Sequence, residues 1–274
     1  AATRRRPQDG RRGEDGLRSG IADRVAQRPT YAGRVPIRSE THDAVTTLTI
    51  DRPHRRNALD LATLEELHSA VVAAVDGGAR ALVLTGAEGH FCAGADLTEL
   101  EDVSFTVRLA EVLQHLAAVP ITTIAAISGS CMGLGMQLAV ACDLRVVGER
   151  ARFAVPVAKL GLMVDQWTLD RVARFWGEGA ARHMVLTAAV LDGDDAWRLG
   201  FAQLRGDLDA ALDLARSAVR LAPLSQAGSK IGMNSSPAPD EAYAAAFSRA
   251  WASSDLAEGQ RAFGERRTPR FEGR

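Results

Sequence analysis

Two glycine-rich segments contain the residues whose types and spacing could do chemistry, at positions 91–97 (FCAGADL) and 129–137 (GSCMGLGMQ). Each follows an apolar run rich in β-branched residues and precedes a run with helical character. At such a junction the first N–H groups of the helix have no internal partner and can bind developing negative charge. If the N–H groups of Ala95 and Leu134 face each other, both could hydrogen-bond one carbonyl oxygen. Losing one such donor typically costs about 3 kcal/mol of transition-state stabilisation.

Glycines beside these two positions fit a site made of backbone donors. Such donors need no particular side chain, but they need glycines that let a substrate approach closely. Gly94, Gly133 and Gly135 meet that requirement. The same glycines would also suit two tight turns with no binding role, so spacing alone leaves both interpretations open.

Other catalytic and binding motifs are absent from the sequence. Gly133 and Gly135 begin a dinucleotide-binding pattern, but Leu138 stands where its third glycine or alanine belongs. The six histidines are scattered without metal-ligand spacing, so the sequence predicts no metal site. Three cysteines without a C-x-x-C pair argue against disulfides and zinc and favour buried thiols. Cys131 as a nucleophile would need a base, and none is evident.

The elements that must position these segments alternate between strand and helix. Short apolar, β-branched runs predict strands at 45–50, 81–86, 121–127 and 144–147. Helical periodicity predicts helices at 61–75 with Asp60 as the N-cap, through 109–116 with a stop at Pro120, and at 136–142. Further helices are predicted at 168–175, 179–187, 192–200 and 208–221. Such alternation favours an α/β protein with right-handed crossovers and a helical C-terminal part.

Composition favours a soluble protein with three regions. Of the 274 residues, 46% are hydrophobic and 24% charged. No apolar run is long enough to cross a bilayer, and no secretory pattern is present. We therefore expect a cytoplasmic protein without a membrane partner. Residues 1–40 hold ten arginines against five acidic residues. A nucleic-acid-binding arm is conceivable, but no aromatic residue lies among those arginines before Tyr31, which favours a flexible extension at 1–34. The predicted core is 35–200 and the predicted C-terminal helical region is 201–274.

From Val45 onward the chain resembles the crotonase (enoyl-CoA hydratase/isomerase) superfamily. The matching motifs are Arg52-Pro53 with 56–59 (RNAL), the segment 91–97, 135–139 (GMQLA) with Cys142-Asp143, 151–156 (ARFAVP) with 160–162 (LGL), and the stretch from Ser254 to Phe271. The resemblance implies a spiral of ββα units, a helical trimerisation region, and trimers or dimers of trimers.

The resemblance also implies a coenzyme A thioester as ligand, with no cofactor beyond the coenzyme A of that substrate. Its carbonyl would be held by the N–H groups of Ala95 and Leu134. The remaining implied contacts place Arg55 or Arg56 near the coenzyme A phosphates and Ala93, Asp96 and Leu97 near the adenine, with Ala58, Gly133 and Gly135 as further substrate-binding positions.

Two positions depart from the superfamily's hydratases. Those enzymes use one glutamate on the helix after the second glycine-rich segment and another in the loop after the position of Phe153. Here these positions hold Gln137 and Val157. Syn addition of water needs a base and an acid on one face, and each missing group typically costs about 10²–10⁴-fold in rate. Efficient hydration is therefore not expected, and Val157 also removes the glutamate on which the isomerases rely.

Asp165 is a nearby carboxylate in the sequence. It matches the position of the nucleophilic aspartate in the superfamily's 4-chlorobenzoyl-CoA dehalogenase, although Val157 replaces the tryptophan that assists it there. Asp165 could be a base, a nucleophile or the N-cap of the following helix. Val157, Met163 and Trp167 could desolvate its carboxylate and so favour a catalytic role.

Three functional hypotheses follow. The first is a non-catalytic acyl-CoA-binding protein of fatty-acid or lipid metabolism, with a fatty-acid synthesis protein as a possible partner. The second is an enzyme with lyase or hydrolase chemistry that uses Asp165 on an acyl-CoA. The third is a weak enoyl-CoA hydratase.

Overall fold

The computed structural model describes residues 35–96, 103–234 and 241–274, and Val35–Arg274 form one compact unit. The predicted extension at 1–34 and the candidate residue Leu97 lie outside the described residues. The predicted boundary between a core and a C-terminal region at residue 200 stays a prediction.

Two sheets are the centre of the fold. Their strands are β1 (Ile37–His42), β2 (Val45–Ile50), β3 (Ala81–Gly86), β4 (Thr122–Ile127), β5 (Ser130–Met132), β6 (Leu144–Val147), β7 (Arg152–Ala154), β8 (Leu191–Asp192) and β9 (Leu204–Arg205). The larger sheet has six strands in the order β1-β2-β3-β4-β6-β9, and the smaller sheet has the order β5-β7-β8. Strand β1 pairs antiparallel with β2, and all other neighbours in the larger sheet are parallel.

Helices alternate with the strands, and the elements described after strand β9 are all helices. They are α1 (Leu61–Asp76), α2 (Val103–Ala118), α3 (Leu134–Ala141), α4 (Gln166–Trp176), α5 (Glu178–Thr187), α6 (Gly193–Arg198), α7 (Leu208–Ala218), α8 (Pro223–Asn234), α9 (Glu241–Trp251) and α10 (Ser254–Glu265). Asp60 caps α1 as predicted, since its side chain accepts a hydrogen bond from the Thr63 N–H. No helix among these described residues is long and apolar enough to cross a membrane.

Most of the predicted elements are confirmed, with shifted ends. The strands at 45–50, 81–86 and 144–147 have the predicted bounds, whereas α3 begins two residues earlier than predicted and α7 ends at Ala218 rather than at residue 221. The sequence did not reveal β1, the smaller sheet, or the separate helices α8, α9 and α10. The predicted α/β class and helical C-terminal part are confirmed.

The large sheet packs on both faces, which explains the continuous apolar strands. Alternate residues of β2 and β3, such as Leu48, Ile50 and Leu82, join the main core with helices α1 to α5. The other residues of these strands, such as Val83, join a second core with Ala211 and Ala215 of α7. A strand buried on both faces has no polar alternation, as is usual in parallel sheets.

Buried charged residues tie the C-terminal helices to this core. The Lys230 Nζ of α8 donates to the Asp143 carboxylate at 2.8 Å and to the carbonyl of Ile121 at 3.0 Å. Arg145 is almost fully buried and donates to the carbonyls of Cys142 and Phe201. Burial lowers the pKa of Arg145 to about 10, because the charged guanidinium is costly to desolvate.

Lys230→Met tests the contribution of the buried ion pair. The variant leaves Asp143 without its cation, and we expect a loss of about 3 kcal/mol in the free energy of unfolding. Urea denaturation measures this loss. The chain offers a matched control in Lys159, its only other lysine, which is exposed. Lys159→Met should change stability by less than about 0.5 kcal/mol. Equal unfolding free energies for the two variants would contradict a stabilising role for the pair.

Candidate functional site

The two glycine-rich segments lie side by side, as the candidate site requires. Cys92 and Cys131 form a parallel bridge. The Cys92 N–H donates to the carbonyl of Ser130 at 2.9 Å, and the Met132 N–H returns a bond to the Cys92 carbonyl at 3.0 Å. Backbone hydrogen bonds therefore fix the register of one segment against the other just ahead of Gly94 and Gly133.

Glycines allow the close approach of these segments. Gly94 has φ +126° and Gly133 has φ +51°, conformations that residues with a side chain rarely adopt. A Cβ on Gly133 would lie 4.0 Å from the Cα of Gly94, so the two glycines are neighbours in space. A Cβ on Gly135 would lie 2.2 Å from the carbonyl oxygen of Cys92, which leaves no room for any side chain. Tight backbone geometry and close approach of the two segments thus occur together here, and this geometry leaves both interpretations of the glycines open.

The N–H groups of Ala95 and Leu134 are free donors at this junction. Several neighbouring backbone groups are engaged: the Leu59 N–H donates to Gly94, the Asp96 N–H donates to Leu59, and the Gly133 N–H donates to the carbonyl of Ala154. Within the part of the chain that the structure describes, neither the Ala95 N–H nor the Leu134 N–H has a backbone acceptor. Leu134 is the first residue of α3, where an N–H has no intrahelical partner. Two such donors can bind one carbonyl oxygen. Their catalytic role stays a prediction.

Gln137 lies one turn beyond Leu134 and belongs to a chain of three side chains. Its Nε2 donates to the Thr168 hydroxyl at 3.0 Å, and that hydroxyl donates to the Asp165 carboxylate at 2.7 Å. Gln137 and Thr168 are both buried, whereas Asp165 is exposed. Sequence reasoning missed Thr168, although its spacing of three residues from a capping aspartate was a usable signal.

Asp165 is the N-cap of α4, one of the three roles that the sequence left open. Its side chain accepts from the Thr168 N–H at 3.0 Å as well as from the Thr168 hydroxyl. The expected desolvation is wrong, because Asp165 is exposed and Met163 is 86% exposed. A role as base or nucleophile stays a prediction. Val157 is partly buried against the core and offers no polar side-chain atom.

Two of the predicted coenzyme A contacts, Asp96 and Arg55, belong to a charged cluster. The Asp96 carboxylate is 8% exposed and lies 3.6 Å from the Arg52 guanidinium and 3.8 Å from Arg55. Arg52 also pairs with Asp60 at 2.6 Å, so it connects the loop before α1 to the first glycine-rich segment. Sequence reasoning quoted Arg52 only as a motif residue and missed this role. The Arg56 side chain is exposed. Of the other proposed contacts, Ala58 and Ala93 are partly exposed close to this cluster in sequence.

The cysteines of the two segments are poor nucleophiles. Cys92, Cys131 and Cys142 are free and buried. Burial raises the pKa of the Cys92 thiol to about 12 and that of Cys131 well above its usual value, so neither forms a thiolate readily. The described residues contain no group of three side chains that could hold a metal ion.

The fold defines a class of α/β protein in which two glycine-rich segments lie side by side at strand-to-helix junctions. The model of the enoyl-CoA hydratase/isomerase family matches residues 40–274, and the chain belongs to this family. It is 42% identical over 235 residues to the probable enoyl-CoA hydratase echA6 of Mycobacterium tuberculosis, and this match covers 84% of this chain and 97% of that protein. It is 31% identical over 261 residues to the mitochondrial methylglutaconyl-CoA hydratase of Mus musculus, covering 88% of this chain and 83% of that one.

Solved structures agree with this assignment. An enoyl-CoA hydratase/carnithine racemase from Magnetospirillum magneticum superposes with a TM-score of 0.80 at 28% identity, over 88% of this chain and 97% of that one. The enoyl-CoA hydratase from Bacillus anthracis gives a TM-score of 0.80 at 25% identity, over 88% of this chain and all of that one. The predicted crotonase fold is therefore confirmed.

Gly135→Ala tests the close approach at the site. The new Cβ would meet the Cys92 carbonyl, and we expect a loss of at least about 1–3 kcal/mol in the free energy of unfolding, as for an overpacked core. Gly179→Ala is the matched control, because Gly179 lies inside α5 with no atom within 4 Å of an added Cβ. That change should stabilise the protein by up to about 1 kcal/mol. Thermal and urea unfolding of both variants decide the point, and an unchanged Gly135→Ala protein would refute the steric constraint.

Proposed function

We propose that the protein binds acyl-CoA thioesters in fatty-acid or lipid metabolism and lacks efficient hydratase activity. The observation that carries the proposal is the pair Gln137 and Val157, which stand where the family resemblance implies the two working glutamates of a hydratase. Binding and hydration have separate requirements, because a thioester carbonyl needs donors whereas addition of water needs an acid and a base.

Binding is supported by the free N–H groups of Ala95 and Leu134. They lie at two junctions that hydrogen bonds and tight glycine packing hold in place, so little reorganisation is needed when a carbonyl enters. Arg55, half exposed beside Asp96, supplies positive charge where the resemblance implies coenzyme A. The coenzyme A belongs to the ligand itself, and the proposal needs no further cofactor.

Hydration is disfavoured by the side chains at the two positions. The Gln137 amide cannot take or give a proton at neutral pH, and Val157 has no polar atom. The nearest carboxylate on the same hydrogen-bonded chain is that of Asp165, and it is separated from Gln137 by the Thr168 hydroxyl. An acid and a base on one face of the ligand are therefore not provided by these residues.

Self-association is part of the proposal, as trimers or dimers of trimers. The C-terminal helices expose large apolar side chains that a lone chain would leave in water. Phe263 is 88% exposed and Trp251 is 63% exposed. Exposed apolar patches of this kind favour a protein interface. A partner among fatty-acid synthesis proteins remains a further part of the proposal.

Two measurements test the proposed function. Calorimetric titration measures the binding of a long-chain acyl-CoA, and the absorbance of crotonyl-CoA measures its hydration. We expect saturable binding and no loss of enoyl absorbance with the wild-type protein. The double variant Gln137→Glu/Val157→Glu is the positive control, since each restored acid or base contributes about 10²–10⁴-fold in related chemistry. It should therefore gain measurable hydration. Wild-type hydration as fast as that of a known hydratase assayed in parallel would refute the proposal, as would a failure to bind any acyl-CoA.

An acyl-CoA-processing enzyme that uses Asp165 is the second candidate function. The observation that favours it is the exposed Asp165 carboxylate at the end of the chain that begins at Gln137. Any turnover of an acyl-CoA, by lyase, hydrolase or weak hydratase chemistry, should then fall at least about 10²-fold in Asp165→Asn. Because Asn is also a good N-cap, stability should change little, and thermal unfolding checks this. Unchanged turnover in a folded variant would eliminate this candidate.

A further inference from the structure

The chain Asp165–Thr168–Gln137 fixes the orientation of the Gln137 amide. The Thr168 hydroxyl uses its single hydrogen to donate to the Asp165 carboxylate, at 2.7 Å. The hydroxyl then presents only lone pairs to Gln137, 3.0 Å away. Those lone pairs must meet the Gln137 N–H rather than its carbonyl. The orientation of the Gln137 amide therefore follows from which of its neighbours can donate a hydrogen and which can only accept one.

The amide carbonyl of Gln137 is left as an open acceptor. Its Oε1 has no hydrogen-bond donor among the described residues, and it is not one of their fully enclosed unpaired polar atoms. The residue as a whole is only 6% exposed. A polar atom in such a confined place gains from a ligand that donates to it and loses when an apolar group displaces its water.

The position of Gln137 places this acceptor beside the proposed thioester site. Gln137 lies three residues beyond Leu134, so both are on one face of α3. Helical side chains lean toward the N-terminus of their helix, which brings Gln137 toward the free Leu134 N–H. A thioester carbonyl held by that N–H would therefore have the first carbons of its acyl chain close to Gln137.

We propose that Gln137 is a specificity-determining residue that selects acyl thioesters with a hydrogen-bond donor, such as a hydroxyl, on the first carbons beyond the carbonyl. Thr168 and Asp165 act as positioning residues that keep the carbonyl of Gln137 turned toward the ligand. This inference rests on the proposed function, because it concerns the same acyl-CoA site. A saturated or enoyl chain would leave the Gln137 carbonyl desolvated and unpaired, which sites with buried polar groups discriminate against.

Paired calorimetric titrations with 3-hydroxyoctanoyl-CoA and octanoyl-CoA test the inference. The wild-type protein should bind the hydroxy ligand more tightly, on the order of tenfold, as expected for one net hydrogen bond. Gln137→Leu should abolish this ratio and keep or improve octanoyl-CoA binding, because an apolar side chain suits the saturated chain. Thr168→Val should reduce the ratio without abolishing binding, since the amide is then free to turn.

The control variant is Gln114→Leu, which removes an exposed glutamine from α2. It should keep the wild-type ratio of affinities, and thermal unfolding of each variant confirms that it is folded. Equal wild-type affinities for the two ligands, or a ratio that persists in folded Gln137→Leu, would overturn the inference while leaving the proposed function intact. Failure of both ligands to bind the wild-type protein would also overturn the inference, and failure of the long-chain acyl-CoA as well would overturn the proposed function with it.

Discussion

The close contact between the backbone at Cys92 and the start of helix α3 is the constraint on which the rest of the site depends. Gly135 lies so near the Cys92 carbonyl that any Cβ there would overlap it. This contact and the hydrogen bonds of Cys92 to Ser130 and Met132 hold two strand-to-helix junctions together. Each junction contributes a free N–H, from Ala95 in one and from Leu134 in the other. Because those donors belong to the backbone, their geometry is as rigid as the packing that creates it.

Positive charge at the far end of helix α3 reinforces this arrangement. Arg171 donates to the carbonyl of Val140, and Arg145 donates to the carbonyl of Cys142, so both guanidiniums satisfy the helix's last carbonyls. Each lies over an aromatic ring, including that of Phe175 between them. Burial lowers the pKa of both arginines. Cations at a helix C-terminus are favourable, and here they stabilise a short helix whose other end holds the free Leu134 N–H.

The sequence predicted the central sheet and the candidate junctions but not the periphery, and physical reasons account for both. Strands buried on two faces, such as β3, are continuous apolar runs that are easily recognised. Strand β1 escaped because five of its six residues are exposed, and it is held by pairing with β2 rather than by an apolar pattern. Helix α9 has no buried residue, so its sequence lacks a core-facing stripe. Thr168 and Arg52 escaped for another reason, since Thr168 meets Gln137 and Arg52 meets Asp96 only in the folded chain.

The Thr168 hydroxyl explains why an amide at position 137 suits this protein. One hydroxyl hydrogen cannot be donated both to Asp165 and to a second carboxylate. A glutamate at 137 would therefore compete with Asp165 for it, and either the hydroxyl would turn away from Asp165 or the glutamate would become harder to ionise. Asp165 would still accept the Thr168 N–H in the first case, so helix α4 would keep its cap. Glutamine avoids this competition, because its side-chain N–H donates to a lone pair of the Thr168 hydroxyl while the hydrogen of that hydroxyl is donated to Asp165. The cap of helix α4 and the orientation of the Gln137 amide are thus coupled through a single hydrogen.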